Sequence, residues 1–189
     1  MSGLAAVLFD MDGLLIDSEP IWTVAEVELA QRLGGRWDDT VKAQVVGTRL
    51  EVAVPAILRH FGADTTPEHV ATTSAWLLGR MVELFADDLP VLPGVAALLA
   101  SLRDAEVPVA LVSSSYRSLV DAALGRGLGP FDLTLAGDEV VHGKPHPEPY
   151  LTAAAALGVS PADCVVLRGS AVVNESTLTG ESIPQVSAP

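Results

Sequence analysis

The sequence is poor in cysteine and in basic residues, and it contains no long apolar run. Its one cysteine, Cys164, cannot form an internal disulfide, and the apolar segment Cys164–Leu167 favours a buried structural role over a nucleophilic one. Eleven basic residues against 24 acidic ones give a net charge of -13, which disfavours binding to nucleic acid and to anionic membranes. No basic segment precedes the first apolar run, so we expect no signal peptide, no membrane span and a cytoplasmic location.

The composition is nevertheless that of a folded protein. Of the 189 residues, 49% are hydrophobic, which excludes a chain that is disordered throughout. The length allows one core domain and a smaller insert.

Two carboxylates follow the first apolar run, in the motif Asp10-Met11-Asp12-Gly13. Residues 5–9 are uniformly apolar and too few for a helix, a pattern typical of a strand buried on both faces of a parallel sheet. Ligands of such sheets bind beyond the carboxyl ends of the strands, and two carboxylates this close repel unless a cation intervenes. The motif therefore indicates a hard-metal site, or a nucleophile beside a general acid, or simply a polar turn.

The remaining pattern predicts an α/β fold with a helical insert. Residues 15–89 have apolar positions at helical spacing, which predicts helices at 19–33, 41–46, 50–61 and 68–85. Pro55 is expected to kink or restart the third helix, and the threonines before Pro67 are expected to cap the fourth. Further along, helices alternate with short apolar runs, which predicts a right-handed, doubly wound parallel sheet with later strands at 108–112, 131–136 and 164–167.

Three serines, Ser113-Ser114-Ser115, end the strand at 108–112. Seen alone, Ser113 would be interpreted as a helix N-cap. The glycine cluster at 125–129 follows a helix rather than a strand, which argues against a dinucleotide-binding loop.

A proline-rich loop at 143–149 carries Lys144. Seen alone, this lysine would be interpreted as a solvated loop charge. His142 and His146 flank it, and two histidines without further ligands are more often surface groups than a metal site.

Taken in order, these motifs resemble those of the haloacid dehalogenase-like (HAD) hydrolases, in the helical-cap branch that includes β-phosphoglucomutase and phosphoglycolate phosphatase. The resemblance covers residues 5–167 and implies a core at 1–14 and 90–167, with a cap at 15–89. It implies that Asp10 is the nucleophile that forms an aspartyl-phosphate, with Asp12 as general acid. A departing halide needs no proton, so Asp12 argues against dehalogenase activity.

The same resemblance implies how phosphate and metal are held. Ser113 and the backbone N–H of Ser114 would bind a phosphoryl oxygen, and Lys144 would bridge the nucleophile and the phosphate. Asp10 and the carbonyl of Asp12 would bind Mg²⁺. In the cap, Arg49 would clamp a second anionic group of the substrate, with an exposed helix-start arginine as the alternative.

The resemblance breaks after the last predicted strand. There the family places one or two acidic residues that complete the Mg²⁺ shell, whereas this chain has Arg168-Gly169. Residues 168–189 instead resemble the actuator-domain segment of P-type cation-transporting ATPases, with the specific match Thr179-Gly180-Glu181-Ser182. We therefore expect a junction near residue 168, weak Mg²⁺ binding, and a core whose C-terminal part is missing or replaced.

The sequence thus predicts an enzyme, a Mg²⁺-dependent phosphatase or phosphomutase that acts on a small phosphorylated metabolite. Two alternatives stay open: a catalytically weak or inactive HAD-like domain that only binds phosphometabolites, and a fragment related to P-type ATPases. The expected partner is a small-molecule substrate rather than nucleic acid or a membrane, and the sequence does not predict the oligomeric state.

Overall fold

The computed structural model describes residues 4–169. The chain divides into two compact units, one formed by the residues up to Ser18 and from Leu89 onward, the other by Glu19–Asp88. The predicted actuator-like tail from residue 170 onward, with Glu181, lies outside the described residues.

The first unit contains a four-stranded parallel sheet. Its spatial order is β3-β2-β1-β4, with strands β1 (Ala6–Phe9), β2 (Val109–Val112), β3 (Leu133–Leu135) and β4 (Cys164–Leu167). Phe9 is level with Leu111 on one side and with Leu167 on the other. The predicted parallel α/β sheet is confirmed, and the carboxyl ends of β2, β1 and β4 meet at one edge, where such sheets bind ligands.

The helices begin and end close to the predicted positions. The second unit contains α1 (Glu19–Arg32), α2 (Asp39–Val45), α3 (Leu50–His60) and α4 (Pro67–Asp87), and the first contains α5 (Val95–Asp104), α6 (Arg117–Gly125) and α7 (Glu148–Leu157). Two short 3₁₀ turns, Gly137–Glu139 and Pro161–Asp163, precede α7 and β4 respectively.

The core of the first unit forms around the two central strands. Both β1 and β2 are buried along their full length, as their uniformly apolar runs predict. On one face of the sheet, Leu8 and Val112 belong to a cluster with Ala153 and Ala154 of α7, whose small side chains let the helix approach closely. Cys164 belongs to the same cluster and is 3% exposed, so its predicted burial is confirmed.

The second unit is helical, as its periodicity predicts. Arg80 of α4 donates to both carboxylate oxygens of Glu28 on α1, at 2.7 and 3.0 Å. The guanidinium of Arg32 lies 4.6 Å from the ring centroid of Trp76, a second contact between these helices. Within residues 4–169 no helix is both long enough and apolar enough to cross a membrane, and the cytoplasmic location stays a prediction.

The predicted restart of α3 at Pro55 and the predicted threonine cap of α4 are wrong, whereas a kink at Pro55 stays a prediction. α3 continues through Pro55 without restarting, because the apolar side chains on both sides of the proline are buried and their packing outweighs the lost backbone hydrogen bond. Thr66 occupies the N-cap position of α4 but its side chain caps nothing. Its N–H and hydroxyl instead donate to Asp64 at 3.0 and 2.8 Å, a local bond that competes with capping.

Candidate active site

The loop after β1 places both predicted carboxylates at the carboxyl edge of the sheet. The N–H of Asp10 donates to the carbonyl of Leu167 at 2.8 Å, which extends the pairing of β1 with β4 to the first carboxylate. The N–H of Gly13 donates to the carbonyl of Ile16 at 2.8 Å, and Gly13 has φ +71°, a conformation that favours glycine. The loop therefore closes on itself directly after Asp12.

Lys144 neutralises Asp10. Its Nζ lies 2.7 Å from Asp10 Oδ1 and donates to the carbonyl of Val112 at 2.7 Å, so the lysine joins the ends of β1 and β2. Asp10 Oδ1 also accepts from the N–H of Met11 at 2.8 Å. The side chains of Lys144 and Asp10 are only 14% and 21% exposed, and a pair this shielded is screened less than a surface ion pair.

Asp12 is held by hydroxyl groups rather than by a cation. Its Oδ1 accepts from Ser18 at 2.6 Å, and its Oδ2 accepts from Ser115 at 2.8 Å and from Ser113 at 3.4 Å. Removal from water raises the pKa of the Asp12 carboxyl above its usual range, although the bonds from Ser18 and Ser115 lower it. The nearby Asp10 charge raises the same pKa, in a smaller contribution. The raised pKa makes Asp12 easier to protonate than an exposed aspartate, a property that a proton donor needs.

The serines after β2 form a turn around Asp12. Ser113 is buried, and its Oγ accepts from the N–H of Ser115 at 2.9 Å. Ser113 is not the N-cap of α6, because that position belongs to Tyr116. The backbone of Ser114 packs so closely against Gly137 that a Cβ at residue 137 would overlap the Ser114 carbonyl. The predicted phosphate contact of the Ser114 N–H stays a prediction.

Three residues at this site were not identified from the sequence. Ser18 and Ser115 are hydrogen-bonded to Asp12, and Tyr150 has its ring centroid 5.2 Å from Lys144 Nζ. Burial raises the pKa of the Tyr150 hydroxyl, and the positive charges of Lys144 and Arg168 oppose that rise. Of these three, only Ser115 could have been predicted from the sequence. It lies two residues after Ser113, and alternate residues of an extended segment lie on the same side.

Arg49 belongs to the second unit, where it occupies the N-cap position of α3. Its Nε lies 3.7 Å from Glu51, an ion pair exposed to solvent. The expected helix-start position is confirmed, and contact with substrate stays a prediction.

The oxygen donors for a hard metal ion are few. The Asp10 carboxylate and the Asp12 carbonyl lie at the end of β1, and both are the oxygen type that Mg²⁺ prefers. At the end of β4, Gly169 offers no side chain, and a Cβ there would lie 2.6 Å from the Gly13 carbonyl oxygen and 3.1 Å from that of Asp12. These two donors fit Mg²⁺ in type, and their binding of Mg²⁺ stays a prediction.

A family model for haloacid dehalogenase-like hydrolases matches residues 4–167. The chain belongs to this family. Among its relatives, hexitol phosphatase B of Escherichia coli K12 is 32% identical over 174 residues, which cover 88% of this chain and 76% of that protein. The β-phosphoglucomutase of Bacillus subtilis is 28% identical over 172 residues, which cover 87% of this chain and 74% of that enzyme.

The fold of this haloacid dehalogenase-like hydrolase also matches solved structures. The crystal structure of CbbY from Rhodobacter sphaeroides in complex with phosphate is 29% identical, with a TM-score of 0.73 over 86% of this chain and 76% of that one. A second family model, for the P-type ATPase actuator domain, matches residues 159–187. The predicted resemblance of the tail is confirmed, and the two matches overlap ahead of the junction expected near residue 168.

Proposed function

We propose that this hydrolase is a Mg²⁺-dependent phosphatase or phosphotransferase that acts on a small phosphorylated metabolite through an aspartyl-phosphate on Asp10. The observation that carries the proposal is the contact between Lys144 Nζ and Asp10 Oδ1 at 2.7 Å, beside the hydroxyl-bound Asp12. A carboxylate attacks phosphorus well only where the phosphoryl charge is neutralised, and the lysine ammonium supplies such a charge.

The first step joins Asp10 to phosphorus. Lys144 and the Met11 N–H both engage Oδ1 of Asp10, so we assign the attack to Oδ2. A bond forms between Oδ2 and phosphorus while the bond from phosphorus to the ester oxygen breaks. Asp12, whose pKa is raised by burial, in its protonated form gives its proton to the departing oxygen.

The second step releases phosphate. Asp12, now ionised, takes a proton from water while the water oxygen forms a bond to phosphorus. The bond between phosphorus and Asp10 Oδ2 breaks, so inorganic phosphate leaves, the Asp10 carboxylate is restored and Asp12 is protonated again. The Ser18 and Ser115 hydroxyls stabilise the ionised carboxylate between the two steps, because each donates to it. If a second hydroxyl-bearing substrate replaces water, the same residues perform a phosphotransfer.

Asp10 and the Asp12 carbonyl would hold Mg²⁺, which when bound would add positive charge beside the phosphoryl oxygens. Ser113 and the Ser114 N–H would bind another phosphoryl oxygen from the end of β2. With only two described protein ligands, we expect Mg²⁺ affinity below that of a site with a further carboxylate.

The substrate class rests on the relatives and on the helical unit. Relatives named hexitol phosphatase and β-phosphoglucomutase support a sugar phosphate or a similarly small phosphate ester. We propose that residues 15–89 form a cap that excludes water, with a core at 1–14 and 90–167. In this cap Arg49 would clamp a second anionic group of the substrate.

Turnover of p-nitrophenyl phosphate with Mg²⁺ tests the proposal, with wild type and Asp10→Asn compared side by side. We expect measurable release of nitrophenol by wild type and none above background by the variant, because the amide is a poor nucleophile. Equal turnover by the two proteins would contradict the proposal. A screen of hexitol phosphates, hexose phosphates and phosphoglycolate would then identify the substrate.

A second candidate function is a catalytically weak domain that only binds phosphometabolites. Gly169, which lacks a carboxylate and packs against the Asp12 and Gly13 carbonyls, favours it. Binding of a sugar phosphate without turnover at saturating Mg²⁺ would support this alternative. The alternative of an ATPase fragment rests on the tail alone and would require a vanadate-sensitive, cation-stimulated ATPase activity.

A further inference from the structure

The loop that carries Lys144 brings together two imidazoles and a carboxylate. The N–H of His146 donates to the carbonyl of Gly143 at 3.0 Å, which closes a turn around Lys144. The turn places the rings of His142 and His146 with centroids 4.6 Å apart and a tilt of 34°. Glu148, the first residue of α7, adds a carboxylate oxygen 2.7 Å from His142 Nδ1.

Glu148 gives this cluster a third candidate ligand, which the sequence alone did not reveal. One ligand atom each from His142, His146 and Glu148 lies within 4.8 Å of the others. Ligands of a tetrahedral zinc ion are ~3.4 Å apart, given metal–ligand distances of about 2.0–2.2 Å. Both histidine side chains are more than half exposed, so an ion from solvent can reach the rings, and their ligand atoms would have to shift to reach this spacing.

We propose that His142, His146 and Glu148 form a binding site for a divalent transition-metal ion of the zinc class. Two imidazoles and one carboxylate are a common protein donor set for such an ion, with water in the remaining position. Mg²⁺ is a poor fit, because it prefers oxygen ligands throughout. The site is separate from the oxygen donors at Asp10, and the inference does not depend on the proposed function.

Backbone contacts orient the carboxylate of this site in advance. Glu148 Oε1 accepts from the N–H of Val141 at 2.8 Å, and Oε2 accepts from the N–H of His142 at 3.0 Å. An ionised carboxylate has about four acceptor positions, so both bonds can persist when one oxygen binds a metal ion. Such supporting hydrogen bonds fix ligand geometry and raise metal affinity.

The site would restrain the loop that carries Lys144. His142 and His146 each lie two residues from Lys144. An ion bound to both would cross-link the two ends of the segment that contains this lysine. We therefore expect ion binding to slow amide hydrogen exchange at Val141 and His142 and to raise the thermal midpoint of the protein.

Calorimetric titration of tag-free, full-length protein with Zn²⁺ tests this site. We expect one ion per chain, and affinity lowered about tenfold or more in His142→Gln and in His146→Gln. His69→Gln is the matched control, because this histidine lies on α4 in the other unit and should leave affinity unchanged.

Asp10→Asn separates the two metal sites and should also leave Zn²⁺ affinity unchanged. The proposal would be overturned if wild type binds no Zn²⁺, if both histidine variants bind it as wild type does, or if Asp10→Asn abolishes binding. Circular dichroism of the two histidine variants should show that both are folded without metal, since both rings are more than half exposed and lie outside the core. None of these measurements depends on phosphatase activity, so the test of the zinc site remains valid even if the phosphatase assay fails.

Discussion

At the scale of single residues, two carboxylates only two positions apart have different surroundings. Asp10 is paired with the Lys144 ammonium, whereas Asp12 has three hydroxyl donors and a pKa raised by burial. This difference supports the roles proposed for them, Asp10 as nucleophile and Asp12 as proton donor.

Asp12→Asn should lower turnover of a sugar phosphate by about 10²–10⁴-fold, the usual contribution of a general acid. The loss on p-nitrophenyl phosphate should be smaller, because an aryl leaving group needs less protonation. Steady-state kinetics on both substrates check this. Equal losses on the two would remove the proton-donor role from Asp12.

The same variant should be more stable than wild type at neutral pH. The pKa of Asp12 in the folded chain lies above its usual value of 3.8. At a pH between the usual pKa and the folded pKa, the folded chain therefore binds more protons than the unfolded chain. The stability of the fold falls as the pH rises through that range. Asparagine has no charge to remove from water, and its amide can still bond the serines. Thermal midpoints should show the gain at about pH 7 and little gain at about pH 4; a lower midpoint at pH 7 would contradict the role of burial.

At the scale of secondary-structure elements, strands and helices follow from apolar pattern, while local polar contacts do not. The uniform run before Asp10 predicted a doubly buried strand, and β1 is one, because both of its faces are covered. The continuity of α3 through Pro55 depends on burial that a single-sequence pattern does not contain. The contact of Ser18 with Asp12 depends on how the loop after β1 folds back, which spacing alone does not give.

Helix α1 carries a carboxyl group that should make stability depend on pH. Burial, and to a smaller extent the charge of Glu19, raises the pKa of Glu26 from 4.5 to about 7. At a pH between 4.5 and about 7, Glu26 therefore keeps a proton in the folded chain that it loses in the unfolded chain. The stability of the fold falls as the pH rises through this range. Glu26→Gln should raise the thermal midpoint above about pH 7 and leave it nearly unchanged below about pH 4.5.

Glu28→Gln on the same helix is the matched control and should behave in the opposite way. Its hydrogen bonds from Arg80 lower the pKa of Glu28, so the pair stabilises the fold above the usual pKa and loses this effect as pH falls. The variant should have a lower midpoint at neutral pH. If both variants shift the midpoint in the same direction at every pH, burial does not govern the ionisation of Glu26.

The end of β4 packs so tightly that residue 169 tolerates no side chain without movement. Gly169→Ala would place its Cβ 2.6 Å from the Gly13 carbonyl oxygen, a backbone atom. We expect a loss of about 1–3 kcal/mol in the free energy of unfolding, the usual cost of overpacking. Gly79→Ala, in an open position on α4, should instead stabilise by about 0.5–1 kcal/mol. Urea unfolding checks both, and equal stability of Gly169→Ala and wild type would show that the close approach relaxes freely.

At the scale of the whole molecule, the family and the edge of the sheet at which Asp10, Ser113 and Lys144 lie followed from three short motifs in the sequence, whereas the strand order did not. Their joint placement was predictable because parallel strands share a carboxyl edge. The expected substrate contact of Arg49 stays a prediction, because this residue belongs to the other unit.

The metal requirement of the whole enzyme should change when the family's acidic residues are restored. The double substitution Arg168→Glu with Gly169→Asp adds carboxylate ligands, although the contact of residue 169 with Gly13 means that the end of β4 must shift. We expect half-maximal activity at lower Mg²⁺ concentration than in wild type. Arg168→Gln, which removes only the charge, is the control and should have a smaller effect. Micromolar Mg²⁺ affinity and ordinary turnover in the unmodified chain would contradict the proposed shortage of ligands.

Mass spectrometry of protein quenched in acid during turnover of p-nitrophenyl phosphate tests the central claim, a covalent phosphoryl group on Asp10. We predict a phosphorylated peptide that contains Asp10 in wild type, an increased amount of it in Asp12→Asn, where hydrolysis by water lacks its base, and none in Asp10→Asn. Turnover by wild type without any phosphorylated peptide, together with undiminished turnover by Asp10→Asn, would contradict the account.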